Sequence, residues 1–465
     1  MSLDDMAPSK DQLGILLEHY QNGRYDDAEK LAKSITQQFP EHQFAWKALG
    51  VVLKQTGRIN ESLVAIQKSV QLMPQDAEAQ NNLGVTLKEL GRLDEAEVSY
   101  RQAIALKPDF ATAHYNLGIT FKELGRINEA EASYTQAIAL NPSYADAYSN
   151  LGNSLQEQGR LGEAEVSLRQ AIALKPDHTE AYCDLGNTLK ELGRLDEAEA
   201  SYTQAIALNP KNIKAHNQLL MCLFLQDKKS FFFDELDYLI NQDKASAIIG
   251  SLVCRSALKY GLEKPNLFCT KPLNYVLHND LNAQYDFEKK FVEIINSILN
   301  ENRISNRRQT LLVKGNQTLG NIFDIKNDNI NEIQNIIRFE LEKYRGKFKE
   351  SEEGLIKKMP ADYSLYGWLI SMKSGGNLKP HIHENGWLSG SIYINVPRKL
   401  KGESGNLVVS LGEEKDTIDK RINEKKTINV VTGSMVLFPA SLTHYTIPFE
   451  SEEERIVLAF DVKEK

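Results

Sequence analysis

Residues 111–142 read Ala111-Thr-Ala-His-Tyr-Asn-Leu-Gly-Ile-Thr-Phe-Lys-Glu-Leu124, then Gly125-Arg126, then Ile127-Asn-Glu-Ala-Glu-Ala-Ser-Tyr-Thr-Gln-Ala-Ile-Ala-Leu140, then Asn141-Pro142. The first run has a helical composition and ends at a glycine, which supplies the left-handed C-cap. The second ends before a proline, which cannot extend a helix and biases the residue before it away from one. The same punctuation recurs through the first half of the chain. Glycine precedes arginine at Gly23, Gly57, Gly91, Gly125, Gly159 and Gly193, and Pro40, Pro74, Pro108, Pro142, Pro176 and Pro210 follow in step. Both series advance by 34 residues without a slip. A single helix pair of this kind buries its apolar face only against the next pair, so the units stack into a superhelix with a concave groove. Six units fill residues 9–212.

This half resembles the tetratricopeptide repeat (TPR) family, whose helix–turn–helix unit has this length. The resemblance implies a protein or peptide partner in the groove. The residue before the Leu-Gly pair of the first helix is, from the third unit to the sixth, Asn82, Asn116, Asn150 and Asp184, with Gln218 at the next step. A column of amides can hydrogen-bond an extended backbone whatever its side chains, and it is similar to the asparagine ladder in the repeats of the protein O-GlcNAc transferases. The alternative is that these groups satisfy neighbouring helix ends or face solvent. After residue 212 the pattern decays, so 213–262 is expected to form capping helices and a linker, with Phe231–Phe233 covering the end of the array.

At 465 residues the chain exceeds what one core usually organises, and two or three domains are expected. A net charge of −8 offers phosphate no general attraction, which argues against a nucleic-acid partner. No apolar run reaches spanning length, so no membrane partner is expected. The start, Met1-Ser-Leu-Asp-Asp-Met-Ala-Pro8, lacks the basic and apolar regions of a signal peptide. Cys183, Cys222, Cys254 and Cys269 have no metal-type spacing and read as reduced thiols. A bacterial, cytoplasmic location follows as the expectation.

Near residue 263 the alanine-rich pattern gives way to Asn, Ile, Lys and short β-rich runs. Residues 285–300 and 328–350 are amphipathic by spacing. From Tyr363 short strands are expected at Leu365–Met372, Gly390–Val396, Gly405–Ser410, Thr427–Val431, Met435–Pro439, His444–Pro448 and Arg455–Val462. The expected fold is therefore multidomain α + β: an N-terminal α-solenoid, then over 263–465 a double-stranded β-helix, or jelly-roll, with flanking helices. Two histidines one residue apart on a strand, His381 and His383, would face the same side. His444 follows about sixty residues on, then Arg455 on the next strand. Three of the four histidines in this half fall in that pattern; His278 is left over and reads as a loop residue.

The stretch is similar to the 2-oxoglutarate/Fe(II) oxygenases, in particular the bacterial and phage group with a His-x-His…Leu-Ser-Gly-x-x-Tyr signature. The matching residues are His381-Ile-His383-Glu-Asn-Gly-Trp387-Leu-Ser389-Gly390-Ser-Ile-Tyr393-Ile-Asn395, Gly433-Ser-Met-Val-Leu-Phe438-Pro439-Ala-Ser-Leu-Thr-His444 and Arg455-Ile-Val-Leu-Ala-Phe460, with Gly315-Asn-Gln-Thr-Leu-Gly-Asn321 earlier. The resemblance implies iron on His381, His383 and His444, with 2-oxoglutarate and O2 as co-substrates. A hairpin near Phe449–Glu450 is expected to set Arg455 opposite His444, where it can hold the far carboxylate of 2-oxoglutarate with a bidentate pair. Tyr393 stands where related enzymes place a hydroxyl on that carboxylate. No catalytic residue beyond the metal site is expected.

The departure is position 383, where a carboxylate ligand is the rule and the chain has histidine. Glu384 is one residue on and faces away on a regular strand. Three arrangements stay open: iron on three histidines, iron on two with water in the third position, or a register shifted to His383 with Asn385. An iron- and 2-oxoglutarate-dependent hydroxylase with a recruiting solenoid is the leading expectation. A non-catalytic scaffold with a degenerate barrel is the alternative. Glycosyl transfer fails because the C-terminal half lacks a nucleotide-sugar signature.

Overall fold

The computed structural model describes residues 7–300, 306–307, 311–318, 320–325, 327–398, 402–413 and 424–465. It divides into two compact units, 1–154 with 170–176, and 155–169 with 177–465.

Helices pair from Lys10–Gln21 with Tyr25–Gln38 through to Thr179–Glu191 with Leu195–Leu208. The turn glycines take the left-handed conformation the repeat demands, as at Gly125 with φ 73°. Within the repeats a second glycine lets two helices touch. A Cβ on Gly118 would lie 2.6 Å from the Tyr134 ring, and one on Gly186 would lie 2.5 Å from that of Tyr202. At three of the turns the arginine reaches back to the preceding unit: Arg58 to Glu29 at 2.5 Å, Arg126 to Glu97 at 2.6 Å and Arg194 to Glu165 at 2.6 Å. These pairs are part-exposed, so they set register more than stability.

Helices Ile213–Leu225, Lys229–Asn241 and Ala247–Tyr260 follow and share a core of Leu220, Phe224, Phe232, Leu236 and Leu252. Only the middle residue of the expected aromatic cover is fully inside: Phe232 is buried, Phe233 packs part-buried against the cluster, and Phe231 faces out.

Ten strands follow: β1 (Leu277–Asp280), β2 (Asn306–Arg307), β3 (Leu312–Thr318), β4 (Tyr363–Leu378), β5 (Leu388–Asn395), β6 (Leu407–Ser410), β7 (Lys425–Ile428), β8 (Ser434–Pro439), β9 (Thr443–Thr446) and β10 (Arg455–Glu464). They form an antiparallel sheet of order β1-β8-β5-β10-β4-β3-β2 and a smaller one of order β7-β6-β9. Alternation gives the large sheet two apolar faces. Ile392, Leu437, Leu458 and Phe460 pack with Ile333, Ile337 and Leu341 of helix Asp328–Lys347. Tyr393, Val436, Phe438 and Val457 point the other way and share a core with Leu407, Val409 and Ile428 of the small sheet.

Three strands, β1, β2 and β3, were not expected. The short β1 lacks a clear apolar pattern, yet it pairs with β8 opposite Val436, so His278 lies on a strand rather than in a loop, with Nε2 3.1 Å from Ser434 Oγ. β3 lies along β4, where a Cβ on Gly315 would meet the Ser371 carbonyl at 2.6 Å. The Gly315–Asn321 match is thus a packing device. Its Asn321 accepts from Gly367 N at 2.7 Å and donates to Leu365 O at 3.1 Å, and its Leu319 lies outside the described residues.

Candidate metal centre

His444 sits on β9 opposite Val409 of β6. Its backbone exchanges two hydrogen bonds with His381: His381 N donates to His444 O at 3.2 Å, and His444 N donates to His381 O at 2.9 Å. This isolated bridge is the only ladder pairing the His-x-His segment makes among the described residues. His383 lies beyond it, entering a turn closed by Gly386 N to His383 O at 3.0 Å. The two histidines therefore do not share a regular strand, as the sequence suggests, but the bridge and the turn still bring their rings together. Ring centroids are 4.1 Å apart for His381–His444, 4.6 Å for His383–His444 and 5.1 Å for His381–His383. One nitrogen from each ring falls within 4.8 Å of the others.

The outward nitrogens fix the tautomers. His381 Nδ1 faces Lys379 O at 2.8 Å, His444 Nδ1 faces Leu442 O at 3.4 Å, and His383 Nδ1 faces Asp461 Oδ1 at 2.5 Å. Carbonyls and carboxylates only accept, so each Nδ1 carries a proton, which in a neutral ring leaves the lone pair on Nε2. His381 and His383 then bring Nε2 atoms to 3.2 Å. Two ligands of one ion at about 2.1 Å and a right angle stand roughly 3.0 Å apart. Burial, followed by the neighbouring His383, pushes His381 down to about 3, and burial pushes His444 well below the ordinary imidazole value. Both are held neutral, the ligating form.

Asp461 on β10 is the residue that sequence reasoning missed. It is buried and accepts from Ser389 Oγ at 2.8 Å as well as from His383. Burial opposes its ionisation, but the facing His383 outweighs this and holds the carboxyl below its usual range. A carboxylate behind a ligating histidine orients the ring and raises its basicity. The signal was present: counting by twos from an inward Arg455 passes Val457 and Ala459 and arrives at Asp461, an acid that follows the apolar run Ile456–Phe460. We expect Asp461→Asn to weaken metal affinity by about 10- to 100-fold, measured by equilibrium metal titration, with the fold retained.

Arg455 does not stand opposite His444. β10 pairs with β4 and β5, placing Arg455 beside Met372, whereas β9 belongs to the small sheet. The expected hairpin is absent because the intervening chain crosses between sheets, held by Gly405 N to Ile447 O at 3.1 Å and Gly375 N to Phe449 O at 2.6 Å. Arg455 nevertheless turns inward. It is 1% exposed, its guanidinium lies 5.0 Å from the centre of the Tyr393 ring, and Nη1 donates to Gly405 O. Its Nε has no partner, and no carboxylate pairs with it among the described residues. Tyr393 is buried too, and burial pushes its phenol up against the opposing pull of Arg455. An unpaired buried cation beside a phenol fits a carboxylate ligand.

In the amide column, Asn116 Nδ2 donates to Asn81 Oδ1 at 3.0 Å and Asn150 Nδ2 donates to Tyr115 Oη at 3.0 Å. Each thus spends one donor on the preceding repeat. Asn82 and Asp184 are part-buried on their helices.

Comparisons with known proteins agree with this division. Residues 366–461 match the family described as "Putative 2OG-Fe(II) oxygenase". Residues 19–84, 86–125, 120–159 and 143–211 match tetratricopeptide repeat families. No curated protein matches the chain. Among solved structures it is similar to PilF of Pseudomonas aeruginosa, at 18% identity over 43% of this chain and 91% of that one, with a TM-score of 0.40. A thermophilic TPR protein of Thermus thermophilus matches at 27% identity over 39% and 99%, with a TM-score of 0.34. YrrB, a TPR protein with an unusual peptide-binding site, matches at 20% over 40% and 95%, with a TM-score of 0.34. The oxygenase family implies ferrous iron and 2-oxoglutarate; three inward imidazole nitrogens suit the first, and the unpaired Arg455 suits the second. The chain joins tetratricopeptide repeats, over residues 19–211, to a segment over residues 366–461 that matches the 2OG-Fe(II) oxygenase family.

Proposed function

We propose that this protein is an iron- and 2-oxoglutarate-dependent hydroxylase whose solenoid, residues 9–212 capped by 213–262, delivers a peptide or protein to the domain over 263–465. The observation that carries the reading is the convergence of one ring nitrogen from each of His381, His383 and His444, with each Nδ1 facing an acceptor. When bound, ferrous iron and 2-oxoglutarate supply the activation of O2 for hydroxylation. The chain holds the ligand rings in one tautomer and places a buried anion, Asp461, behind the position where a carboxylate ligand is customary. Arg455 and Tyr393 offer the co-substrate carboxylate a cation and a hydroxyl away from water. In the solenoid, the amides of Asn82, Asn116 and Asn150, together with Asp184, present the polar column for a bound backbone. Four free cysteines accord with a reducing bacterial cytoplasm.

The second reading, a scaffold that has lost iron, is favoured by the lack of a carboxylate beside the three nitrogens among the described residues. Succinate formation from 2-oxoglutarate separates the two. Iron-dependent succinate, measured first without substrate to catch uncoupled turnover, supports the hydroxylase. Succinate that is absent with and without iron supports the scaffold.

A further inference from the structure

The backs of the two ligand-bearing positions are engaged as closely as their fronts. His381 and His383 alternate with Ile382 and Glu384, and the second pair turns away from the metal-binding nitrogens. Ile382 packs against the cluster formed by helices Ile213–Leu225, Lys229–Asn241 and Ala247–Tyr260. The Glu384 carboxylate accepts from Lys190 Nζ at 3.2 and 3.4 Å and from Gln218 Nε2 at 2.7 Å. Lys190 also donates to Gln218 Oε1 at 2.6 Å, which closes the three side chains into a ring. Lys190 lies in the last turn of the first helix of the sixth repeat, and Gln218 is the next member of the polar column after Asp184. Neither side chain of the ion pair is freely solvated, with 17% exposure for Lys190 and 26% for Glu384. Part-buried charge-assisted bonds of this kind are stronger than surface pairs and costly to break from one side.

Among the described residues, the backbone of the ligand segment makes few other bonds to the strands around it. One isolated bridge fixes His381, and His383 N reaches Ala440 O only at 3.4 Å. We propose that Glu384 is a positioning residue, and that the last repeat and its cap form a wall of the metal centre through Lys190, Gln218 and the Ile382 socket. This gives the solenoid a second task besides recruitment: it sets the placement of two of the three ligand rings. The same amide that would greet a bound backbone at the end of the column is committed to the ligand loop. The inference rests on the iron reading above.

The test uses the full chain with Co(II), whose visible absorption reports ligand geometry and whose titration gives an affinity. Glu384→Ala and Lys190→Met are each expected to weaken Co(II) binding by about 10-fold and to shift its spectrum, the scale of effect usual for residues that orient ligands. Glu384→Gln, which can still bond Lys190 and Gln218, should recover most of the loss. Lys190→Met lies outside the ligand loop, so it decides the matter if Glu384→Ala does not fold. Wild-type affinity and spectrum in both Lys190→Met and Glu384→Ala, whatever happens to their melting temperatures, would overturn the proposal while leaving the iron site standing. A wild-type chain that takes up no Co(II) would remove the iron reading and this proposal together.

Discussion

His444→Ala is expected to abolish stoichiometric ferrous iron binding, lowering affinity by well over about 100-fold, more than the loss of a group that only orients a ligand. His444 is 4% exposed and supplies one of only three inward nitrogens among the described residues. No other metal-ligating group joins the cluster among those residues, so nothing nearby can take its place. The fold should survive the change. The bonds that tie β9 to β6 and to His381 are made by the backbone, and alanine keeps them. The lost ring leaves a gap beside Phe438, whose ring centre lies 4.8 Å away, and that costs stability on the scale of a core truncation, about 2–5 kcal/mol. Anaerobic iron titration followed by circular dichroism checks both parts. Iron retained at full stoichiometry in a folded His444→Ala protein would place the ion elsewhere in the chain.

The contrast between the halves shows what a sequence can spell. In the solenoid, each repeat packs mainly on the repeats next to it in the chain, so a period of 34 carries the architecture, and Gly125 or Pro142 can be read in isolation. In the sheet domain, partners are distant in the chain. β10 lies between β4 and β5, and β8 lies between β1 and β5, pairings that no local pattern announces. The site divides in the same way. His381, His383, His444 and Arg455 could be picked out by residue type and order. The supports could not: Asp461 reaches His383 from 78 residues away, and Lys190 reaches Glu384 from 194. The misplaced hairpin has the same cause. Phe449 and Glu450 look like a turn, but Phe449 O is bonded to Gly375 and the chain passes from one sheet to the other.

Arg455→Met separates co-substrate binding from iron binding and from folding, because its three effects have different signs. Methionine keeps the length and apolar packing of the arginine stem but removes the charge. In the protein alone that charge is buried at 1% exposure, with Nε unpaired and no carboxylate partner among the described residues. Burial pushes its guanidinium below the usual range, outweighing the opposing pull of Tyr393. Replacing such a group by a well-packed apolar side chain is often neutral or stabilising. The melting temperature should therefore hold or rise. Iron affinity should be unchanged, since Arg455 touches none of the three histidines. The affinity for 2-oxoglutarate should collapse. Losing one member of a buried charge pair costs about 2–5 kcal/mol, roughly a 30-fold weakening or more at 1.4 kcal/mol per factor of ten. Calorimetric titration of 2-oxoglutarate into the metal-loaded variant measures it. A mere loss of packing would lower stability and co-substrate affinity together. A folded Arg455→Met protein that binds 2-oxoglutarate as tightly as the wild type would move the carboxylate site away from β10.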